Sequence, residues 1–331
     1  MSTRDFLPPG TLGLGTAPLS GLFSEVSESQ AQDTIAAAYR CGVRYFDTAP
    51  LYGHGLAEQR LGRGLARIDR QSVIVSTKVG RLLRRSAPAD RDDNFVGALP
   101  TNPIFDFSAD GALRSLHESL ERLGLDAVDV ALIHDPDDHY NEALKGSYPA
   151  LEQLRTERIV RSIGVGMNQT HMPAQFVRET DIDCVLLAGR YTLLDQSGLT
   201  ELLPLCYERG VTVIAAGVFN SGVLAEPRPD STYDYLRVPP SVLEKAQNLD
   251  LICRRHSVPL AAAAVQFPLG HPAVRAVLVG ARSARQMELD ADLFRFPIPD
   301  ALWHDLKDSG LLPNDVPVPA VQPNNALADQ I

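Results

Sequence analysis

Eight short apolar runs, each followed by a stretch of helical periodicity, set the tightest limit on what this 331-residue chain can fold into. The runs are Leu12–Gly15, Arg44–Asp47, Val73–Lys78, Val128–His134, Val160–Gly166, Cys184–Leu187, Val211–Ala216 and Ala276–Val279. Near-continuous apolarity marks a strand covered on both faces, as in a parallel sheet wrapped by helices. The helical stretches are 29–41, 56–66, 110–123, 148–158, 172–179, 200–208, 241–256 and 283–294, with a shorter one at 300–308. Gly42 and Gly124 follow two of them as stop signals.

Strict alternation of this kind predicts a parallel α/β fold. The rival to a closed barrel is an open doubly wound sheet, whose dinucleotide fingerprint belongs after the first strand. There the chain reads Gly13-Leu14-Gly15-Thr16-Ala17-Pro18, which does not complete that fingerprint. A (β/α)8 TIM barrel is therefore expected, with residues 1–331 forming one domain. Two segments interrupt the rhythm: a long loop after the third strand, 80–108, and a proline-rich C-terminal extension, 311–331.

Composition limits the function. A net charge of −10 argues against a nucleic-acid surface, and no apolar run is long enough to span a membrane. Cys41, Cys184, Cys206 and Cys253 are scattered, without metal-ligand spacing, so no metal is expected and a reducing cytoplasmic compartment fits.

In a barrel of this type reactive groups lie at the carboxyl ends of strands. Asp47, Lys78 and His134 end the second, third and fourth strands, and Tyr52 lies just beyond Asp47. Each has an ordinary reading when taken alone: a turn cap, a solvated edge charge, a turn residue, a packing tyrosine. Four at the ends of three successive strands make coincidence a poor explanation. A phenol, with an ordinary pKa near about 10, is a poor acid or base at neutrality. Beside a cationic Lys78 it is expected to shift toward the working range, with Asp47 holding the ammonium and His134 orienting the reacting oxygen.

The segment Phe46-Asp47-Thr48-Ala49-Pro50-Leu51-Tyr52-Gly53 strongly resembles the aldo-keto reductase superfamily. The likeness continues through Glu58–Leu65, Ser76-Thr77-Lys78, Leu132-Ile133-His134, Ile163–Gly166 and Gly280–Ser283, covering nearly the whole chain. The resemblance implies that Asp47, Tyr52, Lys78 and His134 are a catalytic tetrad, working with NAD or NADP. The texture is most similar to the branch that oxidises aldoses such as L-fucose at the anomeric carbon, with pyridoxal-oxidising members nearby. Reduction of open-chain aldehydes or ketones with NADPH is the alternative use of such a tetrad, and a non-catalytic nucleotide-binding subunit is a third.

The same resemblance puts Asn168 at the nicotinamide carboxamide, after Met167 rather than the usual serine. The loop after the seventh strand, with Gly217, Phe219, Ser221, Gly222 and Leu224, is expected at a phosphate. Gly280, Arg282, Gln286 and Asp290 fall where the adenosine half is held. Gly280 and Gln286 replace basic residues common in NADP-preferring members, while Arg282 or Arg285 can supply a phosphate fork. The choice between NAD and NADP stays open, leaning to NAD. Phe23, His54, Trp303 and the 81–108 loop are candidates to line the mouth around a small sugar or aldehyde.

Overall fold

Residues 6–85 and 94–320 are described by a computed structural model. Its strands, in chain order, are β1 (Thr11–Gly15), β2 (Tyr45–Asp47), β3 (Ile74–Val79), β4 (Arg81–Arg85), β5 (Thr101–Phe105) and β6 (Val130–His134). Then come β7 (Ser162–Met167), β8 (Cys184–Ala188), β9 (Thr212–Ala216), β10 (Thr232–Tyr233), β11 (Leu236–Arg237) and β12 (Val274–Gly280). Eight of them close into a barrel in the order β1-β12-β9-β8-β7-β6-β3-β2, every neighbouring pair parallel. The expected (β/α)8 barrel is the fold.

Alternation along each strand sorts side chains into two cores. Outward-facing residues such as Phe46, Val75, Ala131, Val165 and Val213 meet the surrounding helices in one large cluster. Inward-facing Tyr45, Val130, Leu132, Cys184, Leu186, Ile214, Ala276 and Leu278 fill the barrel, and Phe6 and Leu7 join them from the amino-terminal side. The glycine of β1 belongs to this packing. A Cβ on Gly13 would stand 2.5 Å from Leu278 Cδ2 and 2.8 Å from Tyr45 Cδ1, so the barrel wall requires its absence there.

Helix ends follow the chemistry of capping. The first helix, Glu28–Arg40, begins one residue before the expected Ser29, because Ser27 and Gln30 form a reciprocal capping box. Ser108 caps Ala109–Leu123, which Gly124 ends at φ 64°. A helix at Leu260–Gln266 was not expected from periodicity. Its LAAAAVQ sequence is apolar nearly all round, so no amphipathic stripe marks it.

The loop after β3 is more ordered than its composition predicts. Its ends pair as an antiparallel hairpin, β4 with β5, from Arg81↔Phe105 to Arg85↔Thr101. A second small hairpin, β10 with β11, follows β9. Of the proline-rich extension, Leu312 and Val316 are buried, and Pro317 O accepts a bond from Tyr191 OH at 3.5 Å, which ties this stretch to the barrel flank. Residues 321–331 of that expectation lie outside the described residues. Among the described residues no helix is long and apolar enough to cross a membrane.

Candidate active site

Parallel register brings the ends of β2, β3 and β6 to one level of the rim. Asp47 pairs with Ser76, and Lys78 with Leu132, two residues before His134. Directly after β2 the chain turns tightly, with Tyr52 N donating to Ala49 O and His54 N to Leu51 O. Gly53 makes that turn possible. It sits at φ 57° with Ser20 Cβ 2.5 Å from where its own Cβ would be. The turn folds the Tyr52 phenol back over the strand end.

Lys78 is the hub. Its Nζ donates to Asp47 Oδ2 at 2.7 Å, to Thr48 O at 2.9 Å and to Tyr52 OH at 3.1 Å. That uses all three protons of an ammonium. The other Asp47 oxygen accepts from Ser76 Oγ at 2.7 Å, and Ser76 Oγ lies 3.0 Å from Tyr45 OH inside the barrel. The His134 ring stands edge-on to Tyr52, centroids 5.9 Å apart. The four residues proposed from the sequence thus share one buried corner.

Because the ammonium can only donate, Tyr52 accepts on that side, and its own hydroxyl proton is left to point elsewhere. Burial pulls the Lys78 ammonium down, but Asp47 and Tyr52 together outweigh it, and its pKa ends above its ordinary value. Burial pushes the Tyr52 phenol up to about 12, against the pull of Lys78. The expected shift toward neutrality is not found at this corner: burial costs the phenolate more than one ammonium returns, especially with Asp47 close by. Burial, then the charges of Arg81 and Lys78, hold His134 well below the usual imidazole range, so it is neutral at pH 7.

Three polar residues at this corner, Arg81, Asp135 and Tyr235, were not singled out in the sequence. Arg81, first residue of β4, donates from Nη2 to Asp135 Oδ2 at 3.2 Å. The same carboxylate oxygen is 3.4 Å from His134 Nε2. Tyr235, at the tip between β10 and β11, holds its ring 5.8 Å from that of Phe23. Phe23 is an exposed aromatic beside that tip. His54 is buried, its Nδ1 against Thr101 O, and so belongs to the footing of β5 rather than to an open mouth. Trp303 does not line the mouth either. Its helix, Asp300–Asp308, packs on Pro240–Arg255, and the indole is buried near Phe267, centroids 6.4 Å apart. Among the described residues no group of three or more His, Cys, Asp or Glu is arranged to hold a metal ion.

The model of the aldo/keto reductase family matches residues 11–309. The chain belongs to the aldo/keto reductase family. It is similar to a D-threo-aldose 1-dehydrogenase of a Pseudomonas species, 42% identical over 91% of this chain and 94% of that one. A pyridoxal 4-dehydrogenase of Microbacterium luteolum is 40% identical over 93% of this chain and 96% of its own length. Among solved structures, a glycerol dehydrogenase of Gluconobacter oxydans superposes with a TM-score of 0.74 at 23% identity, covering 98% of this chain and 100% of that one, a likeness of fold. This aldo/keto reductase is accordingly an oxidoreductase, and the family implies a nicotinamide cofactor.

The rest of the rim of this aldo/keto reductase bears on that cofactor. Asn168 is exposed just past β7, its carbonyl accepting from Arg190 Nε at 2.8 Å. After β9 the chain turns through Gly217, at φ 62°, into nested turns. There Asn220 N donates to Gly217 O, and Gly222 N and Leu224 N both donate to Phe219 O. Those three N–H groups are used within the loop and are not presented to a phosphate as expected. Leu224 itself is a core residue with a fully buried side chain. Phe219 is half-buried, and Ser221 Oγ accepts from Tyr235 N at 3.2 Å.

After β12, Gly280 lies against Pro18, and Gln286 Oε1 accepts from Arg282 N at 3.0 Å. Arg282 and Arg285 are exposed. Asp290 is buried, which pushes its carboxyl up to about 7. Asn220 Oδ1 and Asp290 Oδ2 are buried acceptors without a partner among the described residues. Unpaired buried acceptors are costly, and the amide and amine donors of a dinucleotide suit them. The residues present fit such a group.

Proposed function

We propose that this enzyme oxidises the anomeric carbon of an aldose such as L-fucose to a lactone, with Tyr52 as acid/base and NAD as the preferred cofactor. The observation that carries the reading is the Lys78 ammonium held between Asp47 Oδ2 and Tyr52 OH, at 2.7 and 3.1 Å. A nicotinamide cofactor, when bound, supplies the acceptor for the hydride that leaves C1. Everything else falls to side chains. His134, neutral, donates a hydrogen bond to the substrate oxygen and fixes its direction. Tyr52, as phenolate against Lys78, takes the proton of the C1 hydroxyl while the C1–H bond breaks, leaving a C=O bond. Asp47, tied from below by Ser76, keeps Lys78 charged and in line. In the reverse direction the phenol returns the same proton to a carbonyl oxygen.

Asn168, Gly217, Phe219, Ser221, Gly222, Gly280, Arg282, Gln286 and Asp290 are the proposed cofactor residues. The preference for NAD is supported by Gln286, which spends its side chain closing the turn to Arg282, and by the absence of a base at Gly280. Similarity to the aldose 1-dehydrogenase supports the substrate class. Oxidation of pyridoxal is the second reading, favoured by the 40% identical relative. Four unpaired cysteines, three of them buried, support a cytoplasmic setting.

Purified enzyme supplied with L-fucose, D-arabinose, L-galactose or pyridoxal under each cofactor tests the proposal. Formation of NADH with the first three is expected. Turnover of pyridoxal alone, or only the NADPH-driven reduction of open-chain aldehydes, would replace it.

A further inference from the structure

Arg81 and Asp135 pair beside His134, close enough to Tyr52 for Arg81 to act on its charge, and the pair is incomplete. Only Nη2 and Oδ2 meet, at 3.2 Å, where a guanidinium and a carboxylate facing squarely would make two bonds. The contact leaves Asp135 Oδ1 and Arg81 Nη1 outside the pair, and Arg81 Nε is buried without a partner among the described residues. The Arg81 side chain is 11% exposed and that of Asp135 24%, so the pair is set into the wall rather than waving in solvent. The guanidinium lies over the Phe105 ring, 5.1 Å from its centroid, which fixes its plane.

The backbone is bent to achieve this. Asp135 sits at φ 42°, directly after the end of β6, a left-handed conformation that side chains rarely adopt. Its amide still donates to Gly166 O at 3.1 Å, so the turn is held by the neighbouring strand. Strain kept in place by its surroundings is common where a side chain must be aimed. Here the carboxylate is aimed to within 3.4 Å of His134 Nε2.

A lone arginine at this position would favour a carboxylate or phosphate. Joined to Asp135, it presents instead one donor and one acceptor with no net charge. That is the complement of a neutral group able to accept and donate at once, namely an alcohol. Adjacent hydroxyls on a ring offer several such groups; a plain aldehyde offers none.

We infer that Arg81 and Asp135 read the hydroxyl neighbouring the reacting carbon, the guanidinium donating to it and the carboxylate accepting from it. They thereby select polyhydroxylated substrates over plain aldehydes. The inference rests on the aldose reading above and adds to it the residues that enforce it. The catalytic corner handles any oxygen on the reacting carbon; this pair handles its neighbour.

Arg81→Gln and Asp135→Asn, singly and together, are to be assayed with L-fucose and with its 2-deoxy analogue. In the parent, L-fucose is expected to be used roughly a hundredfold better by kcat/KM, since a site built to bond a hydroxyl rejects the analogue lacking it. In each variant KM for L-fucose rises about tenfold or more, kcat falls far less, and the preference over the deoxy sugar collapses to a few-fold. The double variant is no worse than the poorer single one, because the two act as a unit. Two results overturn the inference. One is an unaltered L-fucose preference with a lowered melting temperature, which makes the pair a structural ion pair. The other is an equal loss of kcat on both sugars, which makes it a support for His134. If the parent fails on every aldose yet turns over other carbonyls, the aldose reading falls first and this inference falls with it. If the parent uses L-fucose and the variants keep its preference, only the inference falls.

Discussion

The two sides of the barrel mouth are finished to different degrees. At the ends of β2 and β3 the charged groups satisfy one another: Lys78 spends three donors and both Asp47 oxygens are taken, while the neutral Thr48 Oγ1 and His134 Nδ1 beside them have no partner among the described residues. Beside β9 and β12, Asn220 Oδ1 and Asp290 Oδ2 are buried with no partner among the described residues. The ion pair of the first side is completed by the protein alone, which suits groups that must keep one geometry through a reaction. The second carries acceptors that a ligand would complete, at a cost in stability until it arrives.

Removing the phenol tests the finished side most severely. Tyr52→Phe should lower kcat by about a thousandfold, in keeping with loss of a positioned acid/base, while the circular dichroism spectrum stays that of the parent. A variant retaining a tenth of the parent rate would show that the corner does not act through Tyr52.

Next in size is pH. Burial holds the Tyr52 phenol up at about 12, so below that value only a small fraction is ready to accept a proton. The kcat/KM for oxidation should therefore climb with pH through the range from 7 to 10, by up to about tenfold per unit, while reduction, which uses the protonated phenol, should stay level there. A flat profile would mean that the bound cofactor or substrate resets the phenol.

The unfinished side should respond in binding instead. Asn220→Ala removes the orphaned acceptor Oδ1 and the 3.4 Å bond that Nδ2 donates to Gly189 O. The Kd for NAD should rise about tenfold, read by protein fluorescence, with kcat at saturating cofactor nearly kept. A drop in kcat with an unchanged Kd would erase the distinction between the two sides.

The smallest effect is on stability. Burial raises Asp290 to about 7, above the usual unfolded value near about 3.9, so the folded state holds that proton more tightly. Its contribution to stability is fully present below the unfolded value and is lost as pH rises through 7. Asp290→Asn should then melt about 2 °C above the parent at pH 8 and level with it at pH 4. An equal gain at both pH values would mean the carboxyl never titrates in that range.

The barrel and its reactive corner were legible because each rests on a local signal: apolar runs of strand length, and polar residues at their ends. Arg81 and Asp135 carry no such signal. Asp135 stands in His134-Asp135-Pro136-Asp137-Asp138, which reads as a turn, and it meets Arg81 only because β3 and β6 are neighbours. The hairpin that carries Arg81 was hidden by Pro103 within β5 and by charged residues along β4, both unlike a buried strand. Trp303 and His54 were misplaced for the opposite reason: an aromatic or an imidazole looks alike in sequence whether it faces a cavity or a packed helix.

Phe6 and Leu7, closing the barrel from beneath, have a consequence for proton traffic. The chain of hydroxyls that runs down from Asp47 through Ser76 to Tyr45 ends among Val130, Leu132, Ile214 and Cys184, whose thiol burial holds protonated, well above its ordinary value. The enzyme is a cup and not a tube. On the proposed role of Tyr52, whatever proton it collects must leave through the same opening by which the substrate entered, so recharging the phenol has to wait until that opening is wet again.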